Sequence, residues 1–111
     1  MIYQESNELK KSLKFWYRLP GHYHGSENYS VFAPRLEIIN YYMEELRKYG
    51  WEFIAEEDNV EKSNGKKVEE KYIFRNGTYE IQISFPVETT VNFEGVVYEK
   101  SYYIIVFPIN R

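Results

Sequence analysis

The sequence predicts an α+β fold: a mostly antiparallel sheet of about four to five strands, in the order β-α-β-β-β-β, with one main helix packed on one face. Three observations support this prediction. Two Asn-Gly dipeptides lie between segments of alternating polarity, one segment has apolar residues at helical spacing, and the final segment is rich in aromatic and β-branched residues. At 111 residues, the chain is expected to form a single domain, residues 1–111.

The N-terminal part is predicted to contain one strand and one loop. Leu13–Pro20 alternates in polarity, which indicates a strand, although Leu9, Leu13 and Trp16 also lie at the spacing of a helix. Gly21–Ser30 has the composition of a loop. The first strand of the sheet is therefore expected before this loop.

The main helix is predicted to begin at Pro34 and to stop at Gly50, which suits the position just after a helix. Its apolar residues recur at intervals of three and four, as an amphipathic helix requires. The stripe expected to face the sheet consists of Leu36, Ile39, Met43 and Leu46, broadened by Ile38 and Tyr42.

The centre of the predicted sheet is the hairpin Lys67–Pro86. Its Asn-Gly dipeptide at 76–77 suits the positive φ angles of a type I′ turn, which would pair Phe74 with Tyr79 and gather apolar side chains on one face. Glu70 is the exception on this face. We expect it to reach water at the strand end rather than to be a buried catalytic carboxylate.

A neighbouring strand is predicted at Trp51–Glu57, where apolar and acidic residues alternate. A second Asn-Gly turn, at 64–65, would place Ala55 opposite Phe74 and keep the apolar faces on the same side of the sheet.

The C-terminal segment Tyr102–Phe107 is apolar on both sides, which is typical of a central or covered strand. Residues 87–93 either pair with it through Glu94-Gly95 or form a loop, and the sequence leaves both alternatives open.

Composition restricts the classes of function. The absence of cysteine excludes disulfides, thiolate metal sites and a cysteine nucleophile. A net charge of −3 argues against non-specific binding to nucleic acid, which depends on neutralising phosphates. No apolar segment approaches the roughly 18 residues of a membrane span, and the N-terminus lacks the apolar stretch of a signal peptide. We therefore expect a soluble, cytoplasmic protein with no membrane partner.

His22 and His24 form the first candidate site, because two imidazoles in an extended segment point the same way when one residue separates them. They could share a metal ion or act as an acid–base pair, with Tyr23 between them and Glu27 as the nearest carboxylate. The alternative is a solvated loop that holds both histidines of the chain. No metal or other cofactor is assigned to it.

Trp16, Tyr17 and Arg18 precede that loop and form the second candidate. Aromatic side chains beside an arginine are typical of interface hot spots and of base-stacking sites. The alternative is a sheet face that residues 1–12 cover. With the His22–His24 loop, these residues form the predicted binding surface, and no catalytic residue is assigned.

The third candidate is a group of carboxylates that the predicted pairing brings close together: Glu56, Glu57, Asp58, Glu61, Glu69 and Glu70. Grouped carboxylates can bind magnesium or calcium. However, lysines interleave with them and the spacing of a calcium-binding loop is absent. A solvated, salt-bridged face is the favoured interpretation.

The chain is rich in tyrosine and glutamate, has no cysteine, and closes with the segment YEKSYYIIVFPINR. Over Lys67–Arg111 it resembles the small accessory proteins of crenarchaeal viruses, and among these the family that contains type I-D anti-CRISPR inhibitors. The resemblance implies a non-enzymatic protein that binds a host defence complex. It implies no role for an individual residue.

Three functions are weighed. The leading hypothesis is a viral or mobile-element interaction protein that binds and occludes a host protein, with a homodimer as a further expectation. It follows from the missing catalytic motifs and from the 12 tyrosines, since interfaces are enriched in tyrosine. One alternative is a small metal- or nucleotide-binding enzyme that uses the His22–His24 loop. The other is a single-stranded nucleic-acid binder in which Trp16, Tyr17, Arg18 and Tyr23 contact bases.

Overall fold

Six strands and one α-helix form the described part of this computed structural model, which covers residues 25–109. In chain order they are β1 (Gly25–Pro34), α1 (Arg35–Lys48), β2 (Glu52–Val60), β3 (Lys67–Asn76), β4 (Tyr79–Pro86), β5 (Thr90–Phe93) and β6 (Val96–Pro108). A short 3-10 helix, Val87–Thr89, joins β4 to β5. The predicted α+β class is confirmed, with more strands than the four or five expected.

Neighbouring strands of the described sheet are antiparallel, in the order β1-β6-β4-β3-β2. The longest strand, β6, has 13 residues. It pairs with β1 along one edge, and along the other with β4 at Tyr103–Pro108 and with β5 at Val96–Glu99. Because both edges of β6 are occupied, the prediction of a central strand at Tyr102–Phe107 is confirmed.

The loop predicted at Gly21–Ser30 is wrong where the structure describes it, because β1 begins at Gly25. This strand pairs with β6, starting from Gly25 opposite Val106. The residues of its first half are polar and carry little local strand signal, so the pairing with β6 decides their conformation. The strand predicted at Leu13–Pro20 lies outside the described residues.

The β3–β4 hairpin has the predicted faces but not the predicted turn. Phe74 pairs with Ile81 instead of Tyr79, a shift of two residues. The turn is Gly77-Thr78, and Gly77 has a φ of 60° at the first central position, where type II′ turns require glycine. A shift of two residues leaves every side chain on its predicted face, and both Phe74 and Ile81 are buried.

The register between β2 and β3 also differs from the prediction. Phe53, not Ala55, lies opposite Phe74, and Ala55 lies opposite Ile73. The irregularity between Phe53 and Ala55 is a β-bulge, which adds one residue to β2 and moves the following side chains to the other face. The expectation that Ala55 shares the face of Phe74 is therefore wrong, whereas Phe53 does lie on that face.

The connection between β2 and β3 is longer than the predicted two-residue turn. The N–H of Glu61 donates to the carbonyl oxygen of Lys66 at 2.8 Å, so residues 62–65 form the loop. Asn64 accepts a hydrogen bond from the N–H of Lys66 through its side-chain oxygen, also at 2.8 Å. The second Asn-Gly pair thus lies in the predicted connection but does not close it by itself.

Residues 90–93 pair with β6 through Glu94-Gly95, which resolves the alternatives that the sequence leaves open. The two residues have φ angles of 53° and 81°, positive at both central positions as in a type I′ turn. The tight turn of this type therefore lies here and not at either Asn-Gly pair.

Replacing Glu94 with asparagine is expected to raise the free energy of unfolding by roughly 0.5–1 kcal/mol, because asparagine tolerates a positive φ better than glutamate does. Urea denaturation of the two proteins measures the change. The control is Glu88→Asn, an exposed position where φ is not positive, and its effect should stay within about 0.5 kcal/mol. An equal change at both positions would contradict the explanation.

The helix α1 packs on the sheet with a face rotated from the predicted one. Its buried residues are Ile38, Ile39, Tyr42, Glu45 and Leu46. Leu36, expected in the stripe, is 70% exposed. At the centre of the buried face, the hydroxyls of Tyr42 and Tyr102 share a hydrogen bond of 2.5 Å, and burial raises the pKa of Tyr42.

None of the described helices has the length and apolar character that crossing a bilayer requires.

Candidate functional site

The predicted binding surface lies outside the described residues. Its members are Trp16, Tyr17, Arg18, His22, Tyr23 and His24. Their roles therefore stay predictions, and the candidate site whose contacts the structure describes lies within residues 25–109.

A groove of about 760 Å³ lies between α1 and the start of β2, and we call it the α1–β2 groove. Its apolar lining consists of Tyr41, Met43, Trp51, Phe53 and Phe74. Its charged lining consists of Glu37, Glu44, Arg47 and Glu52. A groove of this volume can hold several side chains or a small ligand.

The end of α1 creates one side of this groove. The N–H of Gly50 donates to the carbonyl oxygen of Arg47 at 3.1 Å, and that of Trp51 to Leu46 at 3.0 Å, which is the Schellman pattern. Gly50 has a φ of 89°, so its predicted role in stopping the helix is confirmed. A side chain at Gly50 would also come within 3.2 Å of the Asn76 amide. This short connection holds β2 directly beside the last turn of the helix.

Trp51 is a buried part of the groove lining. Its indole N–H is buried and has no acceptor among the described residues. Leaving a buried donor without a partner costs roughly 1–3 kcal/mol, so few such groups persist in folded proteins. Trp51 therefore places an unsatisfied donor next to the groove.

Phe53 is the exposed aromatic residue of the groove lining. Its ring centroid lies 5.5 Å from that of Phe74 and 6.4 Å from that of Tyr72, yet 43% of the residue is exposed. Its neighbour Ile54 is exposed as well. A large apolar side chain that is anchored on one side and open on the other is typical of an interaction surface.

The strand β2 and the residue after it carry five carboxylates: Glu52, Glu56, Glu57, Asp58 and Glu61. Among the described residues, Asp58 is the one of these five that forms an ion pair, with Lys67 at 3.9 Å. Glu52, Glu56 and Glu57 are exposed. In the described part of the chain, no three metal-ligating side chains come close enough to hold an ion together. The outer strand is thus strongly acidic.

A second charged cluster lies at the first turn of α1. Arg35 donates from Nε to an oxygen of Glu99 at 2.6 Å and from Nη1 to Glu70. Thr90 donates to the other oxygen of Glu99 at 2.6 Å. The Arg35 guanidinium also lies 5.0 Å from the ring centroid of Phe85, close enough for a cation–π interaction. The cluster joins the helix to β3, β4, β5 and β6.

The charges of this cluster balance. Burial raises the pKa of Glu99 above its ordinary value, despite its hydrogen bonds from Thr90 and Arg35. Burial also acts to raise the pKa of Glu70, but hydrogen bonds from Lys67 and Arg35 outweigh it, and this pKa lies below its ordinary value. Glu70 keeps partial access to water, as expected, since its side chain is 18% exposed, but it does not extend freely: Arg35 and Lys67 both bond to it. With two cations for two carboxylates, the cluster is best explained as a structural clamp.

Sequence reasoning missed both features. Arg35 and Glu99 are 64 residues apart, and no local pattern relates them. The groove has a weak signal in the sequence: on a predicted strand, the apolar pair Phe53-Ile54 is separated by Ala55 alone from an acidic run. An alternating strand with one apolar face does not need an apolar residue on its other face, so Ile54 could have been noticed.

Fold and site together define a small α+β protein with an aromatic, acid-rimmed groove beside β2, the strand at one edge of its described sheet. Comparisons with protein-family models, curated proteins and solved structures found no match for this chain.

Proposed function

We propose that this chain is a small non-enzymatic interaction protein that binds a partner protein and occludes a surface on it. The observation that carries the proposal is the α1–β2 groove, where the half-exposed Phe53 belongs to the acidic strand β2.

The lining of the groove has the composition of a protein interface. Aromatic residues and methionine are enriched in the cores of interfaces, and the rim around them is polar and accessible to solvent. Tyr41, Met43 and Phe53 supply the first kind of surface, while Glu37 and Glu44 supply the second. A partner side chain that enters the groove would cover the exposed part of Phe53.

The identity of the partner is proposed from the resemblance in the C-terminal half. It favours a host protein or complex, an anti-defence role such as CRISPR inhibition, and action in the host cytoplasm. A homodimer remains part of the proposal as an arrangement in which two copies present the same surface.

Affinity capture from the host with matched variants tests the proposal. Phe53→Ser is expected to reduce recovery of the partner by about tenfold or more, because a truncated anchor typically costs over 1–2 kcal/mol of binding energy. Phe93→Ser is the matched control, since Phe93 is 62% exposed on the β5–β6 hairpin and does not line the groove. The recovered partner is quantified by mass spectrometry.

Phe53→Ser also removes contacts with Phe74 and Tyr72, so its thermal unfolding is measured beside the wild type. Glu44→Lys is a second variant, because this exposed helix residue can change the groove without disturbing the core. Equal recovery with the wild type, Phe53→Ser and Glu44→Lys would rule out this groove as the binding surface.

A further inference from the structure

We infer that the α1–β2 groove and the outer edge of β2 take a basic, extended segment of the partner protein, which adds to the sheet as a strand and places one apolar side chain beside Phe53. This inference rests on the proposed function and names the chemistry of its partner.

The outer edge of β2 offers a place for such a strand. Among the described residues, the nine-residue strand β2 pairs with β3 alone, from Glu52 to Val60. An edge strand directs alternate N–H and C=O groups away from its sheet, and an added strand can pair with them. The groove begins at the same end of β2, so one extended segment can contact both.

The charge of this edge selects a basic segment. Residues 52–61 hold five carboxylates and no lysine or arginine. Two more carboxylates, Glu37 and Glu44, face the groove from α1, where Arg47 is the one cation among the lining residues that the structure describes. On β3, Arg75 lies opposite Glu52 but bonds to Glu80 at 2.9 Å. Lys71 lies opposite Glu57, and Lys67 pairs with Asp58 at 3.9 Å, so the protein's own cations compensate this edge only in part. Lysine and arginine of a partner would meet the remaining negative field of Glu52, Glu56 and Glu61.

A second copy of the chain does not suit this edge. Pairing β2 with β2 of another copy would bring two runs of five carboxylates together, and like charges on paired strands are destabilising. Nucleic acid is disfavoured for the same reason, since its phosphates are negative.

Acidic residues on an edge strand also guard it against self-association. Protection against self-association and recognition of a partner make opposite predictions for a basic extended peptide. If the carboxylates of β2 only protect the edge, the peptide forms no specific complex; if they recognise a partner, the peptide binds.

The experiment uses the full chain, labelled with 15N, and a nine-residue capped peptide that alternates lysine and valine with a central phenylalanine. We expect saturable shifts of the amide signals of β2 and of the Trp51 indole N–H at low salt. The variant Glu56→Gln/Glu57→Gln should bind the peptide more weakly, with a dissociation constant raised roughly three- to tenfold. The matched control Glu88→Gln/Glu94→Gln removes two exposed charges elsewhere and should stay within about twofold of wild type.

Two further peptides separate charge from strand pairing. Glutamate in place of lysine should abolish binding, because both surfaces are then negative. Methylation of alternate backbone nitrogens retains the charge but blocks strand pairing on one edge, and should weaken binding by about tenfold or more.

Equal binding of the methylated peptide would overturn strand addition, and equal binding by the Glu56→Gln/Glu57→Gln variant would overturn selection by charge. If every peptide fails while a captured partner still depends on Phe53, the inference fails and the proposed function stands. If no captured partner depends on Phe53 either, both fail.

Discussion

Replacing Arg35 with leucine is expected to lower the free energy of unfolding by about 3–5 kcal/mol, because it removes the cation from a fully buried carboxylate. Glu99 is 0% exposed, and Arg35 is its cationic partner among the described residues. The change also removes the contact with the Phe85 ring. Urea denaturation followed by circular dichroism measures the loss.

The loss should grow as the pH rises. The pKa of Glu99 is already raised in the folded protein, so the associated stability is present below the ordinary value of 4.5 and is lost as the pH rises through the folded pKa. Without Arg35, this pKa rises further. Glu70 adds to this pH dependence. Its pKa is lowered in the folded protein, so it stabilises the fold at pH values above its ordinary pKa, and Arg35 supplies part of this stabilisation. The deficit of Arg35→Leu should therefore be larger near about pH 8 than near about pH 4.

The double variant Arg35→Leu/Glu99→Gln is the control for this explanation. It removes the buried charge together with its partner, and should recover more than about half of the lost stability. A deficit that is independent of pH, or that Glu99→Gln does not reduce, would show that the clamp acts through packing alone.

Replacing Ile38 with alanine is expected to lower the free energy of unfolding by about 2–5 kcal/mol, the usual cost of a cavity at a fully buried aliphatic side chain. Ile38 lies on the buried face of the helix, in the same cluster as Tyr42 and Phe85. The change adds little helical preference that could offset the cavity, since alanine exceeds isoleucine by less than about 0.7 kcal/mol. Thermal and urea unfolding give the size of the effect.

Leu36→Ala is the matched control, since it truncates an aliphatic side chain two positions earlier on the same helix. Leu36 is exposed, so its effect should stay within about 0.5 kcal/mol. If Leu36→Ala cost as much as Ile38→Ala, the helix would contact the sheet through the stripe predicted from the sequence instead of the rotated face.

The helix shows why a periodic pattern locates an element better than it orients one. The intervals of three and four that join Leu36, Ile39, Met43 and Leu46 are satisfied by any face near that stripe. The structure rotates the helix so that Tyr42 meets Tyr102, a contact between residues 60 apart in the chain. Arg35 then lies over Phe85, and Leu36 is turned to solvent.

The hairpins show the same limit for strands. The sequence predicts a turn that contains Gly77, but the choice between a turn at 76–77 and one at 77–78 depends on the partner strands. The pairing of Ile81 with Val106 on β6 is one such contact. The candidate groove was not predicted, because it forms where the end of the helix meets β2 and no single segment contains it.

The local sequence pattern alone determined three properties of this protein. These are the side chains that share a face of the β3–β4 hairpin, the residue at which the helix stops, and the central position of β6. These properties depend on alternation, on glycine angles and on residues close in the chain. Tertiary contacts decided the strand neighbours, the register to the residue, the rotation of the helix, the Arg35 clamp and the groove. Each of these depends on which distant residues can be buried together, and that free energy is set only once the chain is folded.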